Sequence, residues 1–472
     1  MKFLKYLLVA SLTLGAGQIM QSCGDDDPEE VVDPTPDPDD PDNPDTPDNP
    51  DNPDNPDLPI NPVDVKDPVD PSRDEKPSAN TPGESKKSLE NTGINVAAAF
   101  KPEDQKVVTD FAQEFDDMFA DFDAPAAWDI YDDDEEFSLA TTVRYIGRAA
   151  MAPSVASLTR ATQVYELKFA RFTGVFEPGN GEWKKVSDSD DITFRYNNRA
   201  GNPVVIRLTA SGTNDLYTFT DYDEEYRITP PRTVTLDITQ NGTSLVSCTV
   251  DAIVNENGHT ASASVRGRIA NIEFSALTEA TDSNVKQKSI MQVDGKSIVA
   301  VSAVVNGSRL ATRSAIENLV ENPSAGNFDS MFKNAIANVD VLGQTQVRAS
   351  GANVGDIIRA FDTDKCWDNY DYDSKDAARA DCQKACDVAN SNVLARLYFN
   401  GSNNYDATVI LAPVFDEENY GDYGWWEWYT EPMIRFNDGT SYTIAGYFGD
   451  NRFESVADTW SSLWDSYSKL WR

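Results

Sequence analysis

The chain has 472 residues, a formal net charge of −39 at pH 7 and a single histidine. This acidity argues against nucleic-acid binding, because neutralising phosphates needs a clustered basic surface. The one histidine, His259, sits in a turn-like run, which argues against Ser-His-Asp hydrolysis, Cys-His proteolysis and multi-histidine metal sites. Composition therefore excludes several catalytic classes without indicating a ligand.

Residues 1–22 are typical of an export signal. Two lysines precede an apolar run, Tyr6 to Gly17, that is too short to span a bilayer core of about 30 Å. Cys23 directly follows Ser22, and this junction resembles the lipobox of bacterial lipoproteins, although Met20 stands where that motif usually has leucine. The resemblance implies that Cys23 is acylated and becomes the new N-terminus.

The seven residues after Cys23 read Gly-Asp-Asp-Asp-Pro-Glu-Glu. This acidic run resembles the surface-export signal of Bacteroidota lipoproteins. The resemblance covers only the leader, Cys23 and these residues. It implies attachment by lipid to the outer face of the outer membrane.

A proline-rich linker follows, predicted as disordered over residues 23–90. Proline recurs at every third position from Pro38 to Pro62, with aspartate at eight of the sixteen intervening positions. Three residues is also the repeat of the polyproline II helix, so these 24 steps predict a semi-rigid stalk of roughly 75 Å. The folded part is expected to begin near Asn91.

Helical periodicity recurs along the rest of the chain. The first predicted helix carries an apolar stripe that is rich in aromatic residues, and we interpret this stripe as part of the core. Its members are Val108, Phe111, Phe115, Met118, Phe119 and Phe122. The predicted helical regions are 101–122, 138–160, 314–339, 375–395 and 460–471.

Between residues 165 and 307 the periodicity changes to two, which is typical of strands. Asx-Gly pairs favour tight hairpin turns because both central residues of a type I′ turn need positive φ. The pairs here are Asn241-Gly242, Asn257-Gly258, Asp294-Gly295 and Asn306-Gly307. Further strands are predicted over 404–448, with a turn at Asn437-Asp438-Gly439. The predicted fold class is α+β, an antiparallel meander packed with amphipathic helices.

An internal duplication is also predicted. The stretch 165–183 can be aligned with 405–428, and Phe-Arg-Tyr-Asn at 194–197 with Ile-Arg-Phe-Asn at 434–437. Because about 380 residues exceed the usual size of a single core, two lobes are expected, 91–310 and 311–472.

The most unusual composition lies between residues 420 and 429. Exposed aromatic faces beside carboxylates are suited to sugars, since CH groups stack on the ring and hydroxyls bond to the acids. The glycan-binding candidates are Tyr423, Trp425, Trp426 and Trp428. The alternative interpretation is that Trp426 and Trp428, which share one strand face, belong to the core.

Asp362, Asp364 and Asp368 share the spacing of calcium loops. Trp367 stands where an EF-hand needs glycine, so the pattern favours a solvated acidic loop over a calcium site. No other cofactor is indicated.

Besides Cys23, four cysteines remain: Cys248, Cys366, Cys382 and Cys386. An oxidising compartment allows disulfides, and a bridge from Cys366 to Cys382 or Cys386 would close a loop of about 15–20 residues. Cys248 fits equally well as a buried thiol on an apolar strand face.

The leading hypothesis is a lipid-anchored surface protein that binds a glycan or another surface component without catalysis. A glycoside-acting enzyme with paired carboxylates is an alternative, because that chemistry needs no histidine. A lipid- or lipoprotein-handling module is another, if an apolar cavity lies between the aromatic helix and the meander. The last alternative is a purely structural or adhesive role.

Overall fold

The three-dimensional structure is a computed structural model, and it describes most of the chain from residue 64 onward. The described residues are 64–119, 122, 125, 153–155, 164–167, 173–214, 217–221, 224–228, 231–254, 260–322, 324–361, 367–369, 372–420, 423–443 and 454–470.

Seven helices occur within these described ranges. They are α1 (Pro82–Ala99), α2 (Pro102–Phe119), α3 (Arg313–Glu321), α4 (Ala325–Met331), α5 (Val354–Phe361), α6 (Lys375–Asn392) and α7 (Glu454–Leu470). Helix α1 begins with a capping box, in which the Glu84 backbone N–H donates to the Thr81 hydroxyl at 3.3 Å and the Thr81 N–H donates to the Glu84 carboxylate at 2.7 Å.

The strands form one small and one large sheet. The small sheet has the order β1-β2-β8-β7, with β1 (Pro153–Val155), β2 (Val164–Leu167), β7 (Tyr217–Asp221) and β8 (Glu224–Ile228). The first strands of the large sheet are β3 (Gly174–Gly179), β4 (Glu182–Ser187), β5 (Ile192–Asn197), β6 (Pro203–Ser211), β9 (Thr233–Gln240), β10 (Thr243–Val254), β11 (Thr260–Ile269), β12 (Ile272–Ala280), β13 (Asn284–Val293) and β14 (Lys296–Gly307). Its remaining strands are β15 (Phe332–Val341), β16 (Thr345–Ala352), β17 (Trp367–Asp368), β18 (Val393–Phe399), β19 (Ala407–Tyr420), β20 (Tyr423–Phe436) and β21 (Ser441–Thr443).

The described pairings join the large sheet into one run. It starts at β4 and passes through β3, β5, β6 and β9, then follows chain order from β10 to β16, and continues through β18 and β19 to β20. Strands β17 and β21 pair with β20 along its other edge. All of these pairings are antiparallel except β3 with β5. The predicted antiparallel meander is therefore confirmed.

The strand register gives the large sheet an apolar face and a polar face. One lateral row of paired residues crosses eleven strands and contains a single polar side chain: Val234, Val250, Val265, Ala276, Ser289, Val301, Val339, Val347, Leu397, Ala407 and Phe436. A shift of one residue would turn each strand's apolar set to the other face, so this pattern fixes the register. We call the apolar side the inner face and the opposite side the outer face.

Helix α2 packs on the inner face and confirms the prediction that its aromatic stripe is core. The side chain of Phe115 is completely buried, and the ring centroid of Phe119 lies 4.7 Å from that of Trp183. The surrounding strands contribute apolar residues such as Ile206 and Ile238. Helices α1 and α7 pack on the same face at the other end of the sheet, over β18–β21.

Several turn predictions are confirmed. Positive φ angles occur at Asn241 and Gly242 and at Asp294 and Gly295, and Gly439 lies at the tip between β20 and β21. The pair Asn257-Gly258 lies outside the described residues, as does His259.

The turn predicted at Asn306-Gly307 was wrong. Both residues belong to β14, and a Cβ on Gly307 would lie 1.8 Å from the carbonyl oxygen of Met331. The glycine is there because the backbones approach closely, which is the other common reason for glycine in a strand.

The helix predicted over 314–339 ends at Met331, and Phe332–Val341 is strand β15 instead. Pairing with both β14 and β16 outweighs the local helical spacing. Of the helix predicted over 138–160, only Pro153–Val155 is described, and it is a strand.

The folded chain begins earlier than the boundary near Asn91 that composition gave. Residues 64–80, which we call the N-terminal strap, cross the outer face roughly perpendicular to the strands. The strap contacts one lateral row: Lys288 pairs with Asp67 at 2.8 Å, and Arg396 pairs with Glu75 at 3.0 Å.

The large sheet is continuous where two lobes were expected to divide, because β14 pairs with β15 across residues 310 and 311. The two stretches proposed as a duplication also differ in strand layout. Trp183 and Arg195 lie on separate strands, β4 and β5, whereas Trp428 and Arg435 share β20. The duplication stays a hypothesis.

Candidate functional site

The aromatic segment singled out in the sequence lies on a long hairpin formed by β19 and β20. The two strands pair without a register shift from Ala407 opposite Phe436 to Tyr420 opposite Tyr423. Because successive side chains of a strand point to opposite faces, the neighbours Trp425 and Trp426 lie on different faces of the sheet. The predicted aromatic cluster is therefore divided between the two faces.

Trp426 and Trp428 lie on the inner face, against helix α6. They pack in a cluster with the buried Trp367 and with small residues of α6, Ala378 and Cys382. This placement fits the alternative interpretation, in which these two tryptophans belong to the core.

Cations of α6 cover the same two rings. The Lys375 amine lies 5.9 Å from the Trp426 ring centroid, and the Arg379 guanidinium lies 5.3 Å from the Trp428 ring centroid. Lys375 also forms an ion pair with Glu417 at 2.9 Å. Each of these two rings therefore has a cation of α6 over one of its faces, where a sugar would otherwise stack.

The outer face of β20 presents a different set of side chains, which we call the outward row: Trp425, Glu427, Tyr429 and Glu431. Trp425 is half-buried, and 38 % of Tyr429 is exposed. The two aromatic residues are four positions apart, so their Cα atoms are about 14 Å apart along the strand. Tyr423 continues the same alternation, and its side chain lies outside the described part of the chain.

Carboxylates surround Tyr429. Asp416 of β19 is directly opposite Glu427, and residues in such a pair have Cβ atoms about 4.5–5.5 Å apart. Partial burial raises the pKa of the Tyr429 hydroxyl, and the charges of Glu431, Asp416 and Glu427 raise it further. The outward row thus combines carboxylates with a half-buried tryptophan and an exposed tyrosine.

Helix α6 holds this hairpin from its inner side. The Asn390 amide donates to the Leu411 carbonyl oxygen at 2.8 Å and accepts from the Leu411 N–H at 2.8 Å. Together with the Trp426 and Trp428 contacts, this arrangement fixes the strands on which the outward row stands. A binding surface on such packed strands is more ordered than one on a loop.

Sequence reasoning did not single out Tyr429, Glu427 and Asp416 as site residues. Their signal was present in the period-two pattern of β20, which places residues 425, 427 and 429 on one face. Asp416 could not be found locally, because its position depends on the register of the hairpin.

The structure describes only one of the three candidate calcium ligands. Asp368 of β17 is paired in register with Glu427, whereas Asp362 and Asp364 lie outside the described residues. Within the described ranges, no group of three or more His, Cys, Asp or Glu side chains is arranged to hold a metal ion.

Cys248, Cys382 and Cys386 are free thiols in the structure. Cys382 and Cys386 lie one turn apart on α6, and both are buried. Burial raises the pKa of Cys382 to about 12 and that of Cys248 to about 11. Cys366 lies outside the described residues, so its disulfide stays a prediction.

Two clefts lie apart from the outward row. One, of about 510 Å³, is bordered by α4 and α5 and includes the ion pair of Asp329 with Arg359 at 3.0 Å. The other, of about 490 Å³, lies between the strap and strands β15, β16 and β18. Polar residues predominate in the walls of both clefts, and no described tryptophan or tyrosine lines either of them.

None of the described helices is both long and apolar enough to cross a membrane. Comparison with family models, with curated proteins and with solved structures gives no match.

Proposed function

We propose that this chain is a lipid-anchored cell-surface protein that binds a glycan through the outward row of β20. The observation that carries the proposal is the placement of the half-buried Trp425 and the exposed Tyr429 on the same outer face, with Glu427 between them. Aromatic rings offer stacking surfaces to the CH groups of a pyranose, and carboxylates accept hydrogen bonds from its hydroxyls.

The separation of the two rings favours an oligosaccharide over a single sugar. Rings about 14 Å apart along the strand are too far apart to contact one pyranose together. A chain of several sugars lying along β20 would reach both rings and pass the carboxylates of Glu427 and Asp416 on the way. A row of residues that runs along a strand fits a polymer that is bound at an internal segment.

The N-terminal part of the chain supports display at the surface. Acylation of Cys23 would anchor the protein, and two or three acyl chains would make that attachment stable. The proline-rich stalk would then hold the folded body away from the membrane by up to roughly 75 Å. A glycan outside the cell is a ligand that such a body would meet.

The alternatives receive less support from the described residues. Asp416 and Glu427 lie close together, as a glycosidase pair must, but neither residue lines either of the two clefts described above. The interface between α2 and the sheet is filled by ring contacts such as Phe115 with Tyr196 at 5.8 Å, so it offers no support for a lipid cavity there.

A glycan array tests the proposal. The chain from Gly24 onward, which keeps every described residue, is compared with its Trp425→Ala/Tyr429→Ala variant. We expect oligosaccharide binding by the first and its loss in the second, with an unchanged circular dichroism spectrum. Binding that is equal in both proteins, or no binding to any oligosaccharide, would contradict the proposal, and release of shortened sugars would favour the enzyme alternative.

A further inference from the structure

We infer that the cleft of about 490 Å³ beside the N-terminal strap binds an extended, uncharged peptide segment of a partner protein. We call it the strap cleft, because residues Asp70 to Arg73 of the strap form one of its walls. Strands β15, β16 and β18 contribute the other lining residues on the outer face. No residue of the outward row lines this cleft, so the inference goes beyond the proposed function and does not depend on it.

The outer face already holds one extended peptide, which is the strap itself. With its side-chain amide oriented so that both polar groups are satisfied, Asn338 of β15 donates to the Val69 carbonyl oxygen at 3.2 Å. The same amide accepts from the Val69 N–H at 2.9 Å. An asparagine amide carries both a donor and an acceptor, so it can pair with both backbone groups of one residue. These contacts show how this face recognises a peptide backbone.

The strap cleft offers further groups of this kind. Asn334 lies four residues before Asn338 on β15, and therefore on the same face about 14 Å away. Its amide oxygen accepts from the Asn306 amide at 2.8 Å, while its amide nitrogen has no hydrogen-bond partner among the described residues. The half-buried Ser350 hydroxyl has no such partner in the described ranges either. A donor and a hydroxyl are thus available to the backbone of a ligand.

The remaining lining favours a peptide over a sugar or an ion. Ile336 and Leu394 lie on either side of Ser350 in one lateral row, and they give the cleft an apolar floor for an aliphatic side chain. Its charged side chains are one carboxylate, Asp70, and one guanidinium, Arg73, whose charges balance. No described tryptophan or tyrosine lines the cleft, so the ring stacking on which sugars rely is missing there.

A ligand in this cleft would also hold the strap in place, because the strap supplies one wall. The Arg73 guanidinium donates to the carbonyl oxygen of Ser391, another lining residue. Two residues further along the strap, Glu75 pairs with Arg396 at 3.0 Å. A ligand that binds only when the strap is docked stabilises the docked state. A bound peptide should therefore slow hydrogen exchange of the strap amides.

The test uses random heptapeptides displayed on phage and selected on the chain from Gly24 onward. Selected peptides are synthesised, and their affinities are measured by fluorescence anisotropy. Ala352→Phe places a ring in the cleft and should weaken binding about tenfold or more. Ile253→Phe is the control: this residue of β10 is 40 % exposed and lies outside the cleft, so the variant should bind as wild type does.

A second variant tests the backbone recognition. Asn334→Asp keeps the side-chain shape and the oxygen that accepts from Asn306, but it replaces the amide donor, so it should weaken binding about tenfold. Urea unfolding checks that each variant is folded. The Trp425→Ala/Tyr429→Ala variant should bind the peptides with unchanged affinity.

Several results would overturn the inference. One is a selection that yields no binding peptide, and another is a set of peptides whose affinities change in neither Ala352→Phe nor Asn334→Asp. Peptide binding that is lost in Trp425→Ala/Tyr429→Ala would place the ligand at the outward row instead. Strap amides that exchange equally fast with and without a bound peptide would contradict the role given to the strap as a wall of the site.

Discussion

The Glu75 carboxylate accepts a hydrogen bond from the Arg396 guanidinium at 3.0 Å and so joins the N-terminal strap to strand β18. Only 6 % of the Arg396 side chain is exposed, and backbone carbonyls of the strap, at Ser72 and Arg73, accept further bonds from it. The Tyr398 hydroxyl also donates to Glu75. The N-terminal strap is therefore held against the sheet by a largely buried charge pair.

Glu75→Ala should destabilise the protein by about 3 kcal/mol, because it leaves the Arg396 charge buried without its partner. Urea unfolding measures this change. Asp110→Ala serves as the control, since its pair with Lys106 is about half exposed and should contribute at most about 1 kcal/mol. Equal losses in the two variants would contradict the importance given to the buried pair.

Acidification should weaken the same contact. Burial opposes ionisation of Glu75, but hydrogen bonds from Tyr398, Ser72 and Arg396 outweigh it and lower the pKa of the carboxyl in the folded state. A lowered folded-state pKa gives stability that is complete above the unfolded-state value and is lost as pH falls through the folded-state value.

The stability difference between wild type and Glu75→Gln should therefore be largest at neutral pH and should shrink on acidification below about pH 5. Urea midpoints of both proteins over this range measure it. The stability difference between the two proteins could instead stay constant down to the lowest pH at which they remain folded. That result would show that the ionised Glu75 carboxylate does not hold the strap.

Phe115→Ala should cost about 3–5 kcal/mol, because Phe115 is completely buried among aromatic rings of α2 and the sheet. Val107→Ala on the same helix should change stability by less than about 0.5 kcal/mol, since 44 % of Val107 is exposed. Thermal unfolding of the two variants checks the contrast. A small loss for Phe115→Ala would mean that the ring does not lie in a packed core.

Gly307→Ala should be strongly destabilising, because the added Cβ would overlap the Met331 carbonyl oxygen. Gly326→Ala is the matched control: nothing lies within 4 Å of its Cβ position, and alanine in helix α4 is favoured over glycine by up to about 1 kcal/mol. Soluble expression and urea midpoints compare the two. A tolerated Gly307→Ala would argue against the close approach of β14 and α4.

Much of the fold could be predicted from local patterns. The aromatic stripe of α2, the Asn241-Gly242 turn and helix α6 each follow from spacing or from the φ angles that a turn requires. Strand β15 could not be predicted, because its identity depends on pairing with β14 and β16. The strap was missed for a similar reason: it has no periodicity of its own, and Arg396 lies 321 residues from Glu75.

The outward row could be anticipated only in part from the sequence, which singled out Trp425 but not Tyr429 or Asp416. Alternation placed Trp426 and Trp428 together on one strand face, as the structure has them, but only the packing of α6 shows that this face is the inner one. Tyr429 and Asp416 became candidate site residues once the hairpin register placed them on the same face as Trp425.

The glycan proposal is tested most directly by two adjacent tryptophans that face opposite ways. The affinity of the best oligosaccharide from the array is measured by titration calorimetry for wild type, Trp425→Ala and Trp426→Ala, with folding checked by urea unfolding. We predict that Trp425→Ala weakens binding about tenfold or more with little loss of stability, while Trp426→Ala lowers stability and leaves the affinity of the folded protein within about twofold. Loss of affinity in Trp426→Ala with full binding by Trp425→Ala would contradict the account.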